Sequence, residues 1–321
     1  MLRVKLESGF SYVAEPVAPY SFGLTVRKPA GWALFTPFEE FGGETVWTAL
    51  HVADVLAGVR LRSLGSIEHP KIEVGIFTRR PLVGARRQRV VDTLHNRLGF
   101  GSDLKPFYDF ARKDAILKHT VDDLYGMRDT SPASIFPDAT LAILLQMTTL
   151  KRSNQMMDSV IRRYGRVAEF NGWRVRVWPT PERIAKLTQS QLARECNLGY
   201  RARSLVGLAR KLVEDGGPTM EELDAAGPEE AKRRLMELPG LGDYSSDIVS
   251  PHGGFPIDVW SAQVFGKLFY GRDYACGRET VESVKREGLR RWGRWSWLSF
   301  FYVVQDLESL ARKMGMQLRL E

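Results

Sequence analysis

The sequence predicts an α+β protein, with an N-terminal antiparallel β-sheet domain followed by an α-helical domain, and three observations carry that prediction. Up to about residue 80 the chain runs in short β-branched and aromatic segments: LRVKLE (2–7), FGLTVRK (22–28), GWALFTP (31–37), TVWTALHV (45–52), VLAGVRLRSL (55–64) and KIEVGIF (71–77). Gly, Pro and Asp break these runs, and neighbours lie close enough to pair as antiparallel hairpins. From Pro81 to Leu98 the apolar residues take up helical spacing, and strong strand signals then disappear, so the remainder reads as a bundle of helices. Finally, a glycine hairpin, LPGLG at 238–242, interrupts two stretches of helical pattern. These observations divide the chain into a sheet domain at 1–98 and a helical domain at 99–321, with a helix, hairpin, helix unit at 228–250. The segment 214–231, EDGGPTMEELDAAGPEEA, is the most linker-like stretch; no internal repeat or low-complexity run is present.

Within the hairpin unit each element has a local cause. PEEAKRRLMEL (228–238) places Ala231, Leu235 and Leu238 on one helical face and turns Lys232, Arg233 and Arg234 outward. Pro239 stops that helix, and Gly240 and Gly242 permit a turn at positive φ whose backbone N–H groups point at an anion without side chains in the way. Asp243 is placed as the N-cap of a second helix running to Ser250, whose positive dipole end adds to the anion site. Taken alone, LPGLG is also what a tight turn in any α-protein looks like. Asp258, 11 residues beyond Asp247, stands in FPIDVW directly before an apolar run at helical spacing (Val259, Trp260, Val264, Phe265, Leu268, Phe269). It is therefore either a helix N-cap or a carboxylate placed for chemistry, and spacing alone does not choose.

Composition narrows the partners. Among 321 residues, 46 Lys and Arg against 38 Asp and Glu give a net charge of +8, which favours a polyanion. Lys232, Arg233 and Arg234 precede the hairpin, Lys151 and Arg152 follow a QMTT segment, and Arg201 and Arg203 lie in LGYRARS, although about half of these residues are expected to be solvated helix faces. The five histidines show no metal-ligand spacing, so no metal site is expected; His252 reads as an exposed loop residue. Cys196 and Cys276 are 80 residues apart and read as buried thiols or a chance pair, whose bonding sequence cannot decide. No signal peptide and no 18-residue apolar stretch is visible, so a soluble intracellular protein without membrane association is expected.

The hairpin LPGLG with Asp258 in P-I-D-V-W resembles the helix-hairpin-helix (HhH-GPD) DNA glycosylase superfamily, in which the corresponding Asp is catalytic. Further segments extend the likeness over roughly residues 100–305. NLGYRARSL (197–205) is similar to the LGYRA segment of the 8-oxoguanine and 3-methyladenine glycosylase II branches. LAILLQMTTLKRSNQMMDSVIRRYG (141–165) resembles their base-gap-filling helix-loop-helix, and RRWGRWSWLSFFYVVQDL (290–307) their aromatic closing helix. The resemblance implies an antiparallel N-terminal domain ahead of two helical subdomains. It also implies an enzyme of base excision repair that flips a damaged base from double-stranded DNA and cleaves its N-glycosidic bond. On that reading Asp258 is catalytic, Leu238, Gly240, Gly242, Tyr244, Lys151 and Arg201 contact DNA, Met147 fills the vacated stack and Gln146 bonds the orphaned base. Tyr244, Trp292, Trp295 and Trp297 are candidates for stacking on the extruded base.

Members that also cut the strand carry a Lys two residues after the final hairpin glycine; that position is Tyr244 here, so hydrolysis without lyase activity is implied. With two cysteines the chain lacks the four thiolates of a cubane iron–sulfur cluster, so it departs from the endonuclease III branch. No cofactor is required, though a monovalent cation at the hairpin is compatible with the chemistry. The expected protein is a monomer of the cytoplasm or nucleoid, or of the nucleus in a eukaryote. An aromatic pocket suits alkylated purines. An 8-oxoguanine or deaminated-base (hypoxanthine or uracil) enzyme on the same scaffold stays open, as does a non-enzymatic DNA-binding module in which Asp258 only caps a helix.

Overall fold

The computed structural model describes residues 3–30, 38–130, 134–273 and 277–318, and it has the α+β architecture expected. The chain forms two compact units, one made of residues 1–110, 122–134 and 160–180, the other of 111–121, 135–159 and 181–321.

The first unit is built on two sheets. Its strands are β1 (Arg3–Lys5), β2 (Ser8–Ala14), β3 (Glu40–Gly42), β4 (Thr45–Val52), β5 (Val55–Ser63), β6 (Ile72–Thr78), β7 (Arg166–Phe170) and β8 (Trp173–Val177). Five of them pair antiparallel in the order β2-β6-β5-β4-β3, and β1 runs parallel to β7, which pairs antiparallel with β8. One face of the larger sheet packs Val46, Ala57, Val59, Leu61, Val74 and Ile76 with Val90, Leu94 and Leu98, from the helix Gly84–Arg97 and its C-cap. The other buries Ala49 against Ala168, Phe170, Val175 and Val177 of the smaller sheet. Gly58 makes that second contact tight, since a Cβ there would lie 2.5 Å from the Phe170 ring. Each layer buries apolar area, the dominant favourable term in folding.

Two expectations change, and one falls on residues that are not described. FGLTVRK is a short helix, Phe22–Val26, because the Ser21 hydroxyl accepts from the Leu24 N–H and caps it. The segment 31–37 lies outside the described residues. Strands do not stop at residue 80, since β7 and β8 form a hairpin over Asn171 and Gly172, at φ +50 and +79, a two-residue turn of the kind Asn-Gly favours.

The second unit is helical. An aromatic cluster in it joins Phe255, Phe265, Phe269 and Trp292, with Phe255 and Trp292 edge to face at 5.5 Å. Gly288 admits this cluster, as a Cβ there would meet Phe255 at 2.1 Å.

Candidate active site

The helix Pro228–Met236 starts with Pro at its first turn and Glu229 and Glu230 beside it, and ends with Arg233 and Arg234, an order that suits the helix dipole. Leu238 and Leu241 bury their side chains and anchor the turn between them. Gly240 sits at φ +86, and a Cβ there would lie 2.5 Å from the Ser204 Cβ and 3.1 Å from Ile143 Cδ1. Only glycine meets both conditions. Gly242 differs from expectation: its φ of −104 is extended backbone, and a Cβ would meet nothing within 4 Å. The turn itself therefore does not require glycine at this position.

Gly242, not Asp243, is the N-cap of the second helix, Asp243–Val249, and no side chain caps it. The Asp243 carboxylate is drawn elsewhere. Lys232 donates to Asp243 at 2.6 Å and to Asp247 at 2.7 Å, and Lys285 donates to both carboxylates. Lys232 is thus half-buried in an ionic cluster behind the hairpin, while Arg233 and Arg234 pair with Glu230 on the surface. Burial works against the charge of Asp243, but hydrogen bonds from Lys232 and Lys285 outweigh it and hold the carboxyl below its ordinary value.

The loop to Asp258 threads between fixed walls. Gly253, at φ +65, passes so close to Trp297 that a Cβ would lie 2.4 Å from its ring, and a Cβ on Gly254 would lie 2.4 Å from the Asp247 carboxyl. Phe255 and Ile257 then anchor in the core at 0% and 3% exposure. Asp258 follows as the N-cap of the helix Val259–Tyr270. Its Oδ1 accepts from the N–H groups of Trp260 (3.1 Å) and Ser261 (2.8 Å) and from the Ser261 hydroxyl (2.8 Å), and Ser261 Oγ accepts in turn from the Asp258 N–H. Among the described residues no hydrogen bond reaches Oδ2. Capping and chemistry are therefore not alternatives, since one carboxylate oxygen holds the helix and the other is left over. Tyr244 stands nearby, its phenol pushed up from the ordinary value by burial and then by the Asp258 charge. At neutral pH it is a neutral phenol, not an ion.

The other expected site residues are placed as follows. Gln146 turns inward, its Nε2 donating to the Gly240 carbonyl at 2.7 Å and to Ser245 Oγ at 2.9 Å. Met147 is 65% exposed, and Lys151 is exposed on the helix Leu150–Tyr164. Arg201 is buried, with Nη2 donating to the Gln146 and Met147 carbonyls. Trp292, 2% exposed, has its Nε1 donating to Asp114 at 3.2 Å and presents no face to a base. Trp295 and Trp297 are half-buried, Trp297 stacked on Phe300 and Phe301. His252 is a half-buried residue, not an exposed one, with Nε2 at 3.2 Å from the Leu223 carbonyl. Cys196 is buried, and Cys276 lies outside the described residues.

Sequence reasoning missed Ser261, Asp247, Lys285 and the exposed Tyr200 and Trp260. A polar residue three positions after a capping Asp was the available sign for Ser261; the ion cluster, assembled across 53 residues of chain from 232 to 285, left none. Among the described residues no cluster of His, Cys, Asp and Glu is arranged to hold a metal, and no helix is long and apolar enough to cross a membrane.

The profile described as HhH-GPD superfamily base excision DNA repair protein matches residues 140–294. The chain is 28% identical over 184 residues to a Bacillus subtilis DNA-3-methyladenine glycosylase, covering 56% of this chain and 60% of that protein, so it spans less than two thirds of that relative. It is 24% identical over 238 residues to a probable N-glycosylase/DNA lyase of Methanothermobacter thermautotrophicus, covering 67% and 75%. In fold it is similar to a 3-methyladenine DNA-glycosylase from Archaeoglobus fulgidus, with a TM-score of 0.72 at 22% identity over 95% of this chain and 100% of that one.

Two outcomes follow from this geometry. The lowered carboxyl of Asp243 binds fewer protons folded than unfolded, so its contribution is present above the unfolded carboxylate pKa of about 3.9 and is lost as pH falls below it. Thermal unfolding across pH 7 to 3 should therefore show Asp243→Asn less stable than wild type at neutral pH and converging on it in acid; a gap of constant size contradicts the assignment. The hairpin glycines should separate: Gly240→Val lowers Tm and duplex DNA affinity together, whereas Gly242→Val keeps Tm near wild type and weakens binding alone, as read by thermal unfolding and fluorescence anisotropy.

Proposed function

We propose that this chain, which belongs to the HhH-GPD superfamily of base excision DNA repair proteins, is a DNA glycosylase that hydrolyses the N-glycosidic bond of an alkylated purine without cutting the strand. The observation that carries this reading is the single-sided engagement of Asp258, whose Oδ1 takes all three hydrogen bonds at a helix start. An oxygen held in this way has a fixed position, and Oδ2 remains to face a reacting sugar.

The chemistry follows from the bond to be broken. A base stacked in a duplex cannot offer its glycosidic bond to a carboxylate, so the nucleotide rotates out at a cost of about a few kcal/mol. As the base leaves, positive charge develops on the sugar, and the Asp258 carboxylate stabilises it electrostatically and orients the attacking water. The uncapped start of the helix Asp243–Val249 and the bare Gly242 offer backbone N–H groups to a phosphate. Met147 fills the vacated stack, and Tyr244, Trp295 and Trp297 supply aromatic faces for an electron-poor base. Alkylated purines are favoured because the Bacillus subtilis relative bears the name DNA-3-methyladenine glycosylase. A second reading, with strand cleavage, takes its support from the relative named a probable lyase. Against it stands Tyr244, a phenol that cannot form a Schiff base with the sugar.

Single-turnover base release tests the assignment. Asp258→Asn keeps the helix cap and removes the charge, so release should fall by about 10² or more while binding to an abasic-analogue duplex is kept or improved. Activity within about tenfold of wild type removes Asp258 from the chemistry. Borohydride added during turnover should trap no covalent adduct, and a trapped band would favour the lyase reading.

A further inference from the structure

Met147 occupies the least comfortable backbone near the site. Its φ of +46 lies in the left-handed region that residues with an ordinary side chain seldom adopt. The conformation gains nothing locally, because the side chain is 65% exposed. It persists because the groups on either side are over-determined.

Arg201 supplies one constraint. Its Nη2 donates to the Gln146 carbonyl and, at 3.3 Å, to the Met147 carbonyl, so a single terminal nitrogen clamps two successive peptide oxygens. The residue is only 8% exposed, and its guanidinium lies 4.6 Å from the Tyr200 ring centroid. Gln146 supplies the other: its Nε2 reaches the Gly240 carbonyl and Ser245 Oγ, one in the hairpin turn and one in the first turn of the helix after it. The glycine hairpin, the helix Arg201–Glu214 and the end of the helix Ile135–Leu145 thus converge on one exposed methionine. Gln146 Nε2 and Arg201 Nη2, on two of the residues expected to touch DNA, thus donate inside the protein.

We propose that Arg201 is a positioning residue that, with Gln146, locks the 146–147 peptide to the hairpin and presents Met147 preformed to a DNA gap. The inference rests on the glycosylase reading, which gives Met147 its task. Setting the left-handed turn before DNA arrives removes an ordering cost from the bound state. It also makes the grip on phosphate at Gly242 and the filling of the stack one mechanical unit.

A double-mutant cycle on Arg201 and Met147 tests this. The probes are a duplex containing a tetrahydrofuran abasic analogue next to 2-aminopurine, and the same duplex without the gap. Arg201→Gln and Met147→Ala should each weaken gap binding by about tenfold or more, and the double variant should lose no more than the worse single, the non-additivity expected of residues acting as one. Binding to the intact duplex should stay within about twofold of wild type with the same salt slope, since no phosphate contact is removed. Arg201→Lys, which keeps one donor group, should recover part of the loss, and it carries the test if Arg201→Gln fails to fold.

Additive losses overturn the proposal, as does an equal loss on both duplexes with a salt slope about one unit shallower, the mark of a phosphate contact. A wild-type protein that prefers the gapped duplex while the cycle is additive removes only the role of Arg201. Equal binding of both duplexes by wild type removes the glycosylase reading itself.

Discussion

Three hydrogen bonds to one oxygen of Asp258 are the constraint on which the site depends. They fix the carboxylate at the start of the helix Val259–Tyr270, and everything upstream serves to deliver Asp258 to that point. Phe255 and Ile257 are sunk in the core immediately before it, and two glycines admit the loop past Trp297 and the Asp247 carboxyl, where a single methyl group would collide. The bonds satisfy N–H groups that a helix start always leaves over, so the residue that stabilises the fold is also the one proposed above to meet the substrate. A carboxylate so fixed needs little reorganisation when charge develops opposite it.

Behind the hairpin, the cluster of Lys232, Lys285, Asp243 and Asp247 works by geometry more than by energy. Asp247 is 4% exposed, and desolvating such a charge offsets much of the attraction to its partners. The pairs are weak evidence for stability, but they link three helices to one another, and the second hairpin helix carries both acids. That helix also bears Tyr244 and Ser245, so the ionic cluster, the phenol beside Asp258 and the Gln146 bond all bear on seven residues, Asp243–Val249.

The sequence made the architecture and the hairpin legible where local rules dominate. β4, β5 and β6 are short, β-branched and punctuated by turns, and the helix entering the hairpin carries its own dipole-matched charges. Local rules failed where distant packing decides. β7 and β8 carried a readable sign, Asn171-Gly172, between segments whose burial is settled by residues from the other sheet. The short helix at 22–26 depends on one hydroxyl. Gly240 and Gly242 look alike in the string LPGLG, but only Gly240 is pressed against Ser204. Likewise tryptophan spacing does not tell Trp292, edge-on to Phe255 in the core, from Trp297 beside the loop. Arg201 and Gln146 were legible as polar residues near the site, but their bonds to the backbone depend on contacts 54 and 94 residues away in the chain.

The most direct measurement is the product formed by the wild-type protein on duplexes carrying single lesions: 3-methyladenine, 8-oxoguanine, hypoxanthine and uracil. Free base is identified by mass spectrometry, and strand integrity is followed before and after hot alkali. The site described here predicts release of the alkylated purine, leaving a strand that is intact until alkali breaks it at the abasic position. Release of none of these bases, with duplex binding retained, would contradict the account and leave Asp258 as a helix cap in a DNA-binding protein.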